Sequence, residues 1–563
     1  MNYFRKTALG VLLLGSLNGG IAAPLPSQLK NASIIEERSA RERLKEVQKH
    51  KPNVQAPASD KLKEAIVQYN APQARYEALK FELKQVVFIP KSQLISEPRL
   101  NEIVSKYLHK NISFNDVQRL RVDIINEYQK LGYSLSTANV PAQKILNDKL
   151  TIELIESKIK RIKISGNNYL PDNYFDAYVG KFRENYFNVR DLENALLRFN
   201  KTSKANMVAK SEASDVYGYS DLIFDVYEPS RWTANFSIDN YGTKRTGEQR
   251  FNASIGVFDV SNGLDDNFVL GTTQSEGSDS WYGLYERPLN NHGTRASISF
   301  TSGKTNVAAG PDDSLDVDGN SESLTLKIEH LLYFSKRASL YASIGYRYSN
   351  SESFFVGSFL DDTRSNTAFI ELSYDSVDDY GSWYGEASLS AGSASRFDEA
   401  DQGYTNFNLS AERLQKMGDH WSANLRLAGQ LGDDTRLPSS ESFFIGGQST
   451  VRGYEEGAAI GVHGVNVNLE LSTMPFRRLQ LDEDNTLNNI RLTLFTDHGS
   501  VYTDKGGGTG LDSDSLSSYG AALLYQPTAD LVLSLSYADP IDIDRDFYEE
   551  RNWSASIKYN LTF

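Results

Sequence analysis

The stretch Trp553–Phe563 constrains this chain more than any other. Trp553, Ala555, Ile557, Tyr559, Leu561 and Phe563 alternate strictly with Ser554, Ser556, Lys558, Asn560 and Thr562. Successive side chains of a strand point to opposite faces, so the segment has one apolar face and one wet face. At about 3.3 Å per residue and a tilt of about 40°, such a segment spans roughly 28 Å, close to a bilayer's hydrocarbon core. A half-buried strand of a soluble sandwich would share the pattern, and one segment alone leaves both readings open.

Repetition decides between them. Alternating segments recur from about residue 231 onward, among them Trp232, Ala234, Phe236, Ile238; Leu340, Ala342, Ile344, Tyr346, Tyr348; Val465, Val467, Leu469, Leu471; and Leu531, Leu533, Leu535, Tyr537. The positions between them are Ser, Asn, Thr, Arg, Lys and Glu. About sixteen such segments fit roughly 330 residues, allowing about ten per strand plus connections. Connections after the second, fourth, sixth and eighth segments are tight, near Asn262, Asn291, Lys336 and Gly381. Those after the fifth, seventh, eleventh, thirteenth and fifteenth segments are long and rich in Gly, Asp and Ser, as in Ser302–Glu322 and Asp433–Gly461; the turn at 475–489 is longer than its side allows. The pattern predicts a membrane β-barrel of sixteen antiparallel strands over 231–563, because a closed barrel pairs every backbone group where no water can.

Composition agrees. The chain has no cysteine, which removes disulfides and thiolate metal sites, and its net charge of −14 argues against nucleic acid as a partner. Beyond the N-terminus no apolar run is long enough for a spanning helix.

Residues 1–23 read as a secretory signal peptide: Arg5 and Lys6 precede an apolar run from Ala8 to Leu17, with small residues at Gly20, Ala22 and Ala23. Residues 27–50 have helical periodicity, but only Leu29, Ile34, Ile35, Leu44 and Val47 form an apolar stripe among many charges. Such a helix has little to bury against protein, and it fits either a solvated leader or a polar plug inside a water-lined pore. Residues 51–77, with Pro52, Pro57 and Pro72, read as a linker.

From 78 to 230 the pattern changes to two small β-α-α-β-β modules, 78–157 and 158–230. The first places a strand at Phe81–Ile89, helices at Pro98–His109 and Phe114–Leu131 with Gly132 as the stop, and strands at Tyr133–Ala138 and Leu150–Ile155. The second repeats this order with a strand at Ile159–Ser165, helices at Asp172–Val179 and Arg190–Phe199, and strands near Met207 and at Leu222–Tyr227.

Catalytic motifs are missing. Gly303-Lys304-Thr305 lacks the earlier glycine of a phosphate loop because Ile298 holds that position, and Asp316, Asp318 and Gly319 imitate a calcium loop with Ser314 and Thr325 where carboxylates are wanted. No Gly-x-Ser-x-Gly elbow is present, and the seven histidines have no metal-ligand spacing. No enzyme activity, metal or cofactor is expected.

Two short motifs remain. Val451-Arg452-Gly453-Tyr454 lies in the long loop after the eleventh strand, and Phe495-Thr496-Asp497-His498-Gly499 lies in the thirteenth. There Leu492 and Leu494 take one face, so Phe495, Asp497 and Gly499 take the other, which places Asp497 in the lumen. Arg452 is flanked by Gly446, Gly447, Gly453 and Gly457, so its loop can fold back into the pore, where an arginine fork can clasp a carboxylate. Lumen water would hold this latch to about 1 to 3 kcal/mol.

With those motifs, with Asp239-Asn240-Tyr241-Gly242 and Thr246-Gly247 at the barrel start and Arg287-Pro288-Leu289 ending the fourth strand, the chain resembles the TpsB transporters of two-partner secretion. These are relatives of BamA with a signal, a plug helix, a linker, two polypeptide-transport-associated (POTRA) domains and a sixteen-stranded barrel. The resemblance implies an outer-membrane protein of a Gram-negative bacterium with its POTRA domains in the periplasm. Its C-terminal strand, with Trp553, Tyr559 and Phe563, would serve as the signal read by the barrel assembly machinery that inserts it among outer-membrane lipids. It implies export of a large secreted exoprotein (TpsA-type), bound by the POTRA domains, through a monomeric barrel without ATP. The alternative is an assembly factor that inserts other barrels. One departure stands out: the usual Leu-Pro-Gly after the second helix of the second module is replaced by Asn200-Lys201-Thr202-Ser203-Lys204, which leaves its middle strand unplaced.

Overall fold

The computed structural model describes residues 32–48, 80–307, 317–355, 358–396, 401–433, 437–474, 489–504, 511–541 and 550–563. The expected signal (1–23), the linker (51–77) and nearly all of the turn at 475–489 lie outside them.

The first α/β module runs β1 (Lys80–Leu83), β2 (Gln85–Ile89), α2 (Glu97–Ser105), β3 (Lys110–Ser113), α3 (Phe114–Leu131), β4 (Thr137–Asn139) and β5 (Lys149–Ile155). The single strand expected at Phe81–Ile89 is two. β1 pairs antiparallel with β3, β2 pairs parallel with β5, and the chain changes sheets at Lys84, whose amide donates with that of Gln85 to the Asp148 carbonyl. β3 is too short and polar to show alternation in the sequence. The strand expected from Tyr133 starts only at Thr137, because Tyr133–Ser136 closes a turn in which the Ser136 amide donates to the Tyr133 carbonyl at 3.0 Å.

Helix α3 carries Val117, Leu120, Ile124 and Tyr128 on its buried face. It begins with a reciprocal cap: the Ser113 hydroxyl accepts from the Asp116 amide while the Asp116 carboxylate accepts from the Ser113 amide. That backbone bond is the main cause holding the Asp116 carboxyl below its ordinary range. The helix ends at Gly132, whose φ of +92° is the left-handed conformation glycine favours.

The second module runs β6 (Lys158–Ser165), α4 (Asp172–Val179), α5 (Val189–Thr202), β7 (Asn206–Ala213) and β8 (Tyr219–Tyr227), with β8 central. The departure at Asn200–Lys204 finds its explanation here. The Asn200 side chain donates to the Met207 carbonyl at 3.0 Å and accepts from the Met207 amide at 2.7 Å, which holds the start of the strand Asn206–Ala213 against the end of α5. This module seats on the short-turn end of the barrel. Arg295 donates to the Thr202 carbonyl at 2.7 Å, Tyr174 donates to the Asp265 carboxylate at 3.1 Å, and Phe258 joins the module's core.

Sixteen strands, from Trp232–Asp239 to Trp553–Thr562, close into one antiparallel barrel. The seam pairs the first with the last from Thr233–Thr562 to Asp239–Ser556, and the Trp232 and Phe563 backbones exchange hydrogen bonds at 3.0 and 3.1 Å below it. Trp553, Tyr559 and Phe563 stand exposed on the outer surface, as do Phe236, Ile344, Ile370 and Leu469. This is the lipid-facing set that alternation predicts.

The loop expected at Ser302–Glu322 is shorter than that. Ser302–Asn306 and Asp318–Glu322 continue the ladder of the fifth and sixth strands, Asn306 opposite Asp318. Backbone pairing needs no apolar side chains, so the hairpin extends past the point where the hydrophobic pattern stops.

Candidate functional site

The eleventh strand (Trp421–Gly432) is followed by a segment that turns into the barrel rather than away from it. Residues 437–462 form a short 3-10 turn (Ser439–Glu441), a two-stranded hairpin (Phe443–Ile445 with Ala459–Gly461) and a tip carrying Val451–Tyr454. Gly446, Gly447, Gly453 and Gly457 all have φ between +67° and +102°, a backbone that lets the tip reverse tightly.

Arg452 meets Asp497 at that tip. Its Nε and Nη2 each lie 2.7 Å from one carboxylate oxygen, the two-pronged geometry of a guanidinium fork, and its backbone amide donates to Asp497 Oδ2 at 3.2 Å. Nη1 reaches Glu470 of the twelfth strand (His463–Thr473) at 2.8 Å. Asn468 Nδ2 donates to Asp497 at 2.8 Å and also to the Thr450 carbonyl. The guanidinium sits over the Phe495 ring, 3.5 Å from its centroid.

Asn468 and Glu470 were missed in the sequence. They stand on the inward side of a strand whose outward residues, Val465, Val467, Leu469 and Leu471, had been recognised, so the signal was their parity.

The latch is dry. The side chains of Arg452 and Asp497 are 9% and 0% exposed, so lumen water does not weaken them as expected. Val451 packs with Ile445, Tyr454, Val501 and Leu516 in a small core inside the barrel. Gly499 has no side chain because a Cβ there would meet Ile445 and Val451 at 2.9 Å. The Tyr454 hydroxyl donates to the Ser517 carbonyl at 3.1 Å, and the Gly453 carbonyl accepts from the Arg551 amide at 2.9 Å.

Helix α1 (Ala32–Gln48) lies in the lumen against the fourth (Ser278–Pro288), fifth (Thr294–Asn306) and sixth (Val317–Phe334) strands. The rest of the helix expected at 27–50 lies outside the described residues. Its surroundings correct the expectation that it has little to bury against: Ile34, Ile35, Ala40 and Leu44 are buried, and so are Glu36 and Glu37. Polar wall residues satisfy its polar faces. Thr301 donates to Glu37 at 2.5 Å, Ser321 donates to the Ser33 carbonyl at 2.7 Å, and Lys45 pairs with Glu386 at 3.4 Å.

Helix and inner loop also touch each other. Arg38 donates to the Ser442 carbonyl and stacks on Phe444, while Arg41 donates to the Ser440 carbonyl at 3.4 Å and approaches Glu441 at 4.0 Å. Glu441 in turn accepts from Arg347 of the wall at 2.8 Å. One buried carboxylate is thus shared by helix, loop and wall. Beside the helix a cavity of about 370 Å³ remains, lined among others by Lys45, Lys327, Glu371, Glu386, Arg426 and Glu441.

At the barrel start, Asp239 accepts from Arg250 at 2.8 Å and from Asn252 at 2.9 Å, and the Asn240 side chain accepts from the Ala555 amide at 2.8 Å. Asn240 therefore braces the seam, while Asp239 ties the first strand to the second.

Residues 218–523 match the family model described as haemolysin secretion/activation protein ShlB/FhaC/HecB. The chain belongs to the ShlB/FhaC/HecB family. Residues 81–157 match a POTRA domain of the ShlB type. A heme/hemopexin transporter protein, HuxB, of Haemophilus influenzae is 24% identical over 86% of this chain and 88% of its own length. The outer membrane transporter CdiB of Dickeya dadantii is 24% identical over 92% of both chains. Among solved structures, CdiB from Escherichia coli superposes with a TM-score of 0.64 over 96% of this chain and 100% of that one at 16% identity. BamA from Haemophilus ducreyi lacking POTRA domains 1–3 gives 0.52 over 86% of this chain and 100% of that one at 15% identity, a likeness of fold. This member of the ShlB/FhaC/HecB family is an outer-membrane transporter of the two-partner secretion type, with its POTRA domains in the periplasm.

Proposed function

We propose that this barrel carries one large secreted exoprotein of the TpsA type across the outer membrane, unfolded and without nucleotide hydrolysis, with Arg452 and Asp497 as the latch of its inner loop. One observation carries the reading: the lumen holds two bodies, helix α1 and the inner loop, each tied to the wall by discrete polar bonds and ion pairs beside small apolar clusters. Such ties fix a conformation without making it permanent, as a conduit that must open requires.

In this scheme the POTRA domains take an extended segment of the exoprotein as an added strand, which gives backbone affinity with little sequence demand. Helix α1 then leaves, the inner loop rearranges, and the exoprotein passes through. Folding outside the cell makes its return unfavourable. The barrel works as a monomer, inserted by the barrel assembly machinery among outer-membrane lipids, with Trp553, Tyr559 and Phe563 of the last strand as the insertion signal. Val451, Gly453, Tyr454, Phe495 and Gly499 shape the seat of the latch.

Deleting the gene tests the reading: one large exoprotein should vanish from the medium while the outer-membrane protein profile stays intact. A general loss of other barrels would instead identify an assembly factor. Export that stops on adding an uncoupler, with exoprotein already in the periplasm, would contradict the energy source.

A further inference from the structure

One arginine on the outside of the barrel lacks a partner. On the fourth strand Tyr282, Leu284 and Glu286 face the lumen, where Tyr282 and Leu284 cluster with Leu44 of α1 and Glu286 takes Lys204 at 2.7 Å. The residues between them, Tyr285 and Arg287, therefore face out, as does Trp281. Arg287 opens the Arg287-Pro288-Leu289 motif, and the strand ends at Pro288. Among the described residues no hydrogen bond, ion pair or ring contact ties its guanidinium, and its Nε is shielded without a hydrogen-bond partner. Nearby carboxylates are already occupied. Asp266 accepts from the Ser261 amide at 3.1 Å and from the Tyr285 hydroxyl at 2.7 Å.

Arg287 stands at the short-turn border of the lipid-facing surface. The turn that follows it seats on the second POTRA module, where the Asn291 side chain donates to the Ala177 carbonyl. Its registered neighbour on the fifth strand is Ala296, above which the outward residues are Ile298 and Phe300 and below which stands Thr294. The sixth strand repeats this change, with Leu324, Leu326 and Ile328 exposed and His330 opposite Thr294, the two side chains 2.9 Å apart. A long arginine stem at such a border carries its charge to headgroup depth.

Arg413, on the tenth strand (Gln402–Met417), is an outward arginine at the same end of the barrel, and the protein neutralises it internally. It stands opposite the exposed Trp383, lies 5.1 Å from that ring's centroid, and grips both oxygens of Asp378 at 2.7 and 3.2 Å. Arg287 has no such counter-charge, and an unpaired cation beside lipid is costly unless an anion meets it. We propose that Arg287 is a docking site for the phosphate of a phospholipid in the periplasmic leaflet. The planar guanidinium fork matches two phosphate oxygens. Ala296 opposite it ends at Cβ and leaves the approach open. Exposed Leu289 and Ile328 flank the site with apolar surface for acyl chains, which a free phosphate ion would not use. The short-turn end of the strands, where Arg287 lies, faces the periplasm. The site holds whatever exoprotein the barrel exports.

The test uses the full-length protein in a mild nonionic detergent. Dioleoylphosphatidylglycerol is added as the probe, and retained lipid is counted by native mass spectrometry. Arg287→Gln is expected to lower retention at least fivefold while the barrel keeps its heat-resistant gel mobility, and Arg413→Gln is expected to leave retention unchanged. If Arg287→Gln does not fold, Arg287→Lys keeps the charge without the fork and provides the same comparison, with an expected loss of at least threefold. Equal retention by wild type and the Arg287 variant overturns the inference, as does an equal loss in Arg413→Gln. Dioleoylglycerol, which lacks the phosphate, and inorganic phosphate separate the sources. Arg287-dependent retention of dioleoylglycerol, or displacement of the lipid by inorganic phosphate at equal concentration, also overturns it.

Discussion

Replacing Arg452 with alanine probes the wiring of the lumen directly. The substitution removes three charged hydrogen bonds of 2.7 to 2.8 Å and a cation stacked on Phe495, and leaves Asp497, whose side chain is fully shielded, with Asn468 as its remaining side-chain partner. Breaking a buried pair in this way costs about 3 to 5 kcal/mol. At about 1.4 kcal/mol per decade, the closed state of the inner loop loses a factor of ~10² to ~10⁴ against open states. Because the chain has no cysteine, Ala458→Cys supplies a single thiol that is buried in the loop's core. In that background Arg452→Ala should leave the protein in the membrane, raise thiol labelling by an impermeant maleimide added from outside by at least tenfold, and lower secretion. Arg452→Lys keeps a charge but loses the fork and should fall between the two. Labelling at the parent rate together with unchanged export would refute the latch.

Three further outcomes follow from the geometry. Glu441→Gln removes the carboxylate shared by Arg41 and Arg347; the helix should leave more often, and planar-bilayer recordings should show a larger open fraction than wild type. Gly499→Ala places a methyl 2.9 Å from Ile445 and Val451, which should cost about 1 to 3 kcal/mol and raise labelling at Ala458→Cys without touching an ion pair. Ser113→Ala removes the cap of α3 and should cost the first POTRA domain about 1 kcal/mol, read as faster amide exchange across Phe114–Leu131. Asp116 titrates below its unfolded value of about 3.9, so its share of that stability is complete above that pH and is lost as pH falls through the lower folded value. Equal exchange in wild type and Ser113→Ala at pH 7 would contradict the cap.

Much of the barrel was legible because its determinants are local. A strand crossing lipid must alternate, and Leu340–Tyr348 or Trp553–Phe563 shows this whatever lies beside it. Helix α3 was equally plain, with Val117, Leu120, Ile124 and Tyr128 on one face and Gly132 at its end. The misses share one cause. β3 and the outer ends of the fifth and sixth strands are held by backbone pairing to a neighbour, and pairing leaves no mark in the side-chain pattern.

The lumen shows the same division more sharply. Parity put Asp497 inside, and the glycines around Arg452 allowed its loop to turn inward, but neither tells whether water reaches the pair. That depends on Val451, Ile445 and Gly499 closing over it and on Glu470 and Asn468 arriving from another strand. Likewise the charge of α1 made it unsuited to an apolar site, yet its polar faces are buried because wall hydroxyls and Glu441 happen to stand opposite them. Sequence alone determined which side chains face lipid and which face the pore, since period and parity are properties of one strand. Only the tertiary structure decided which charges meet and how dry they are, because desolvation is set jointly by every element that surrounds a group.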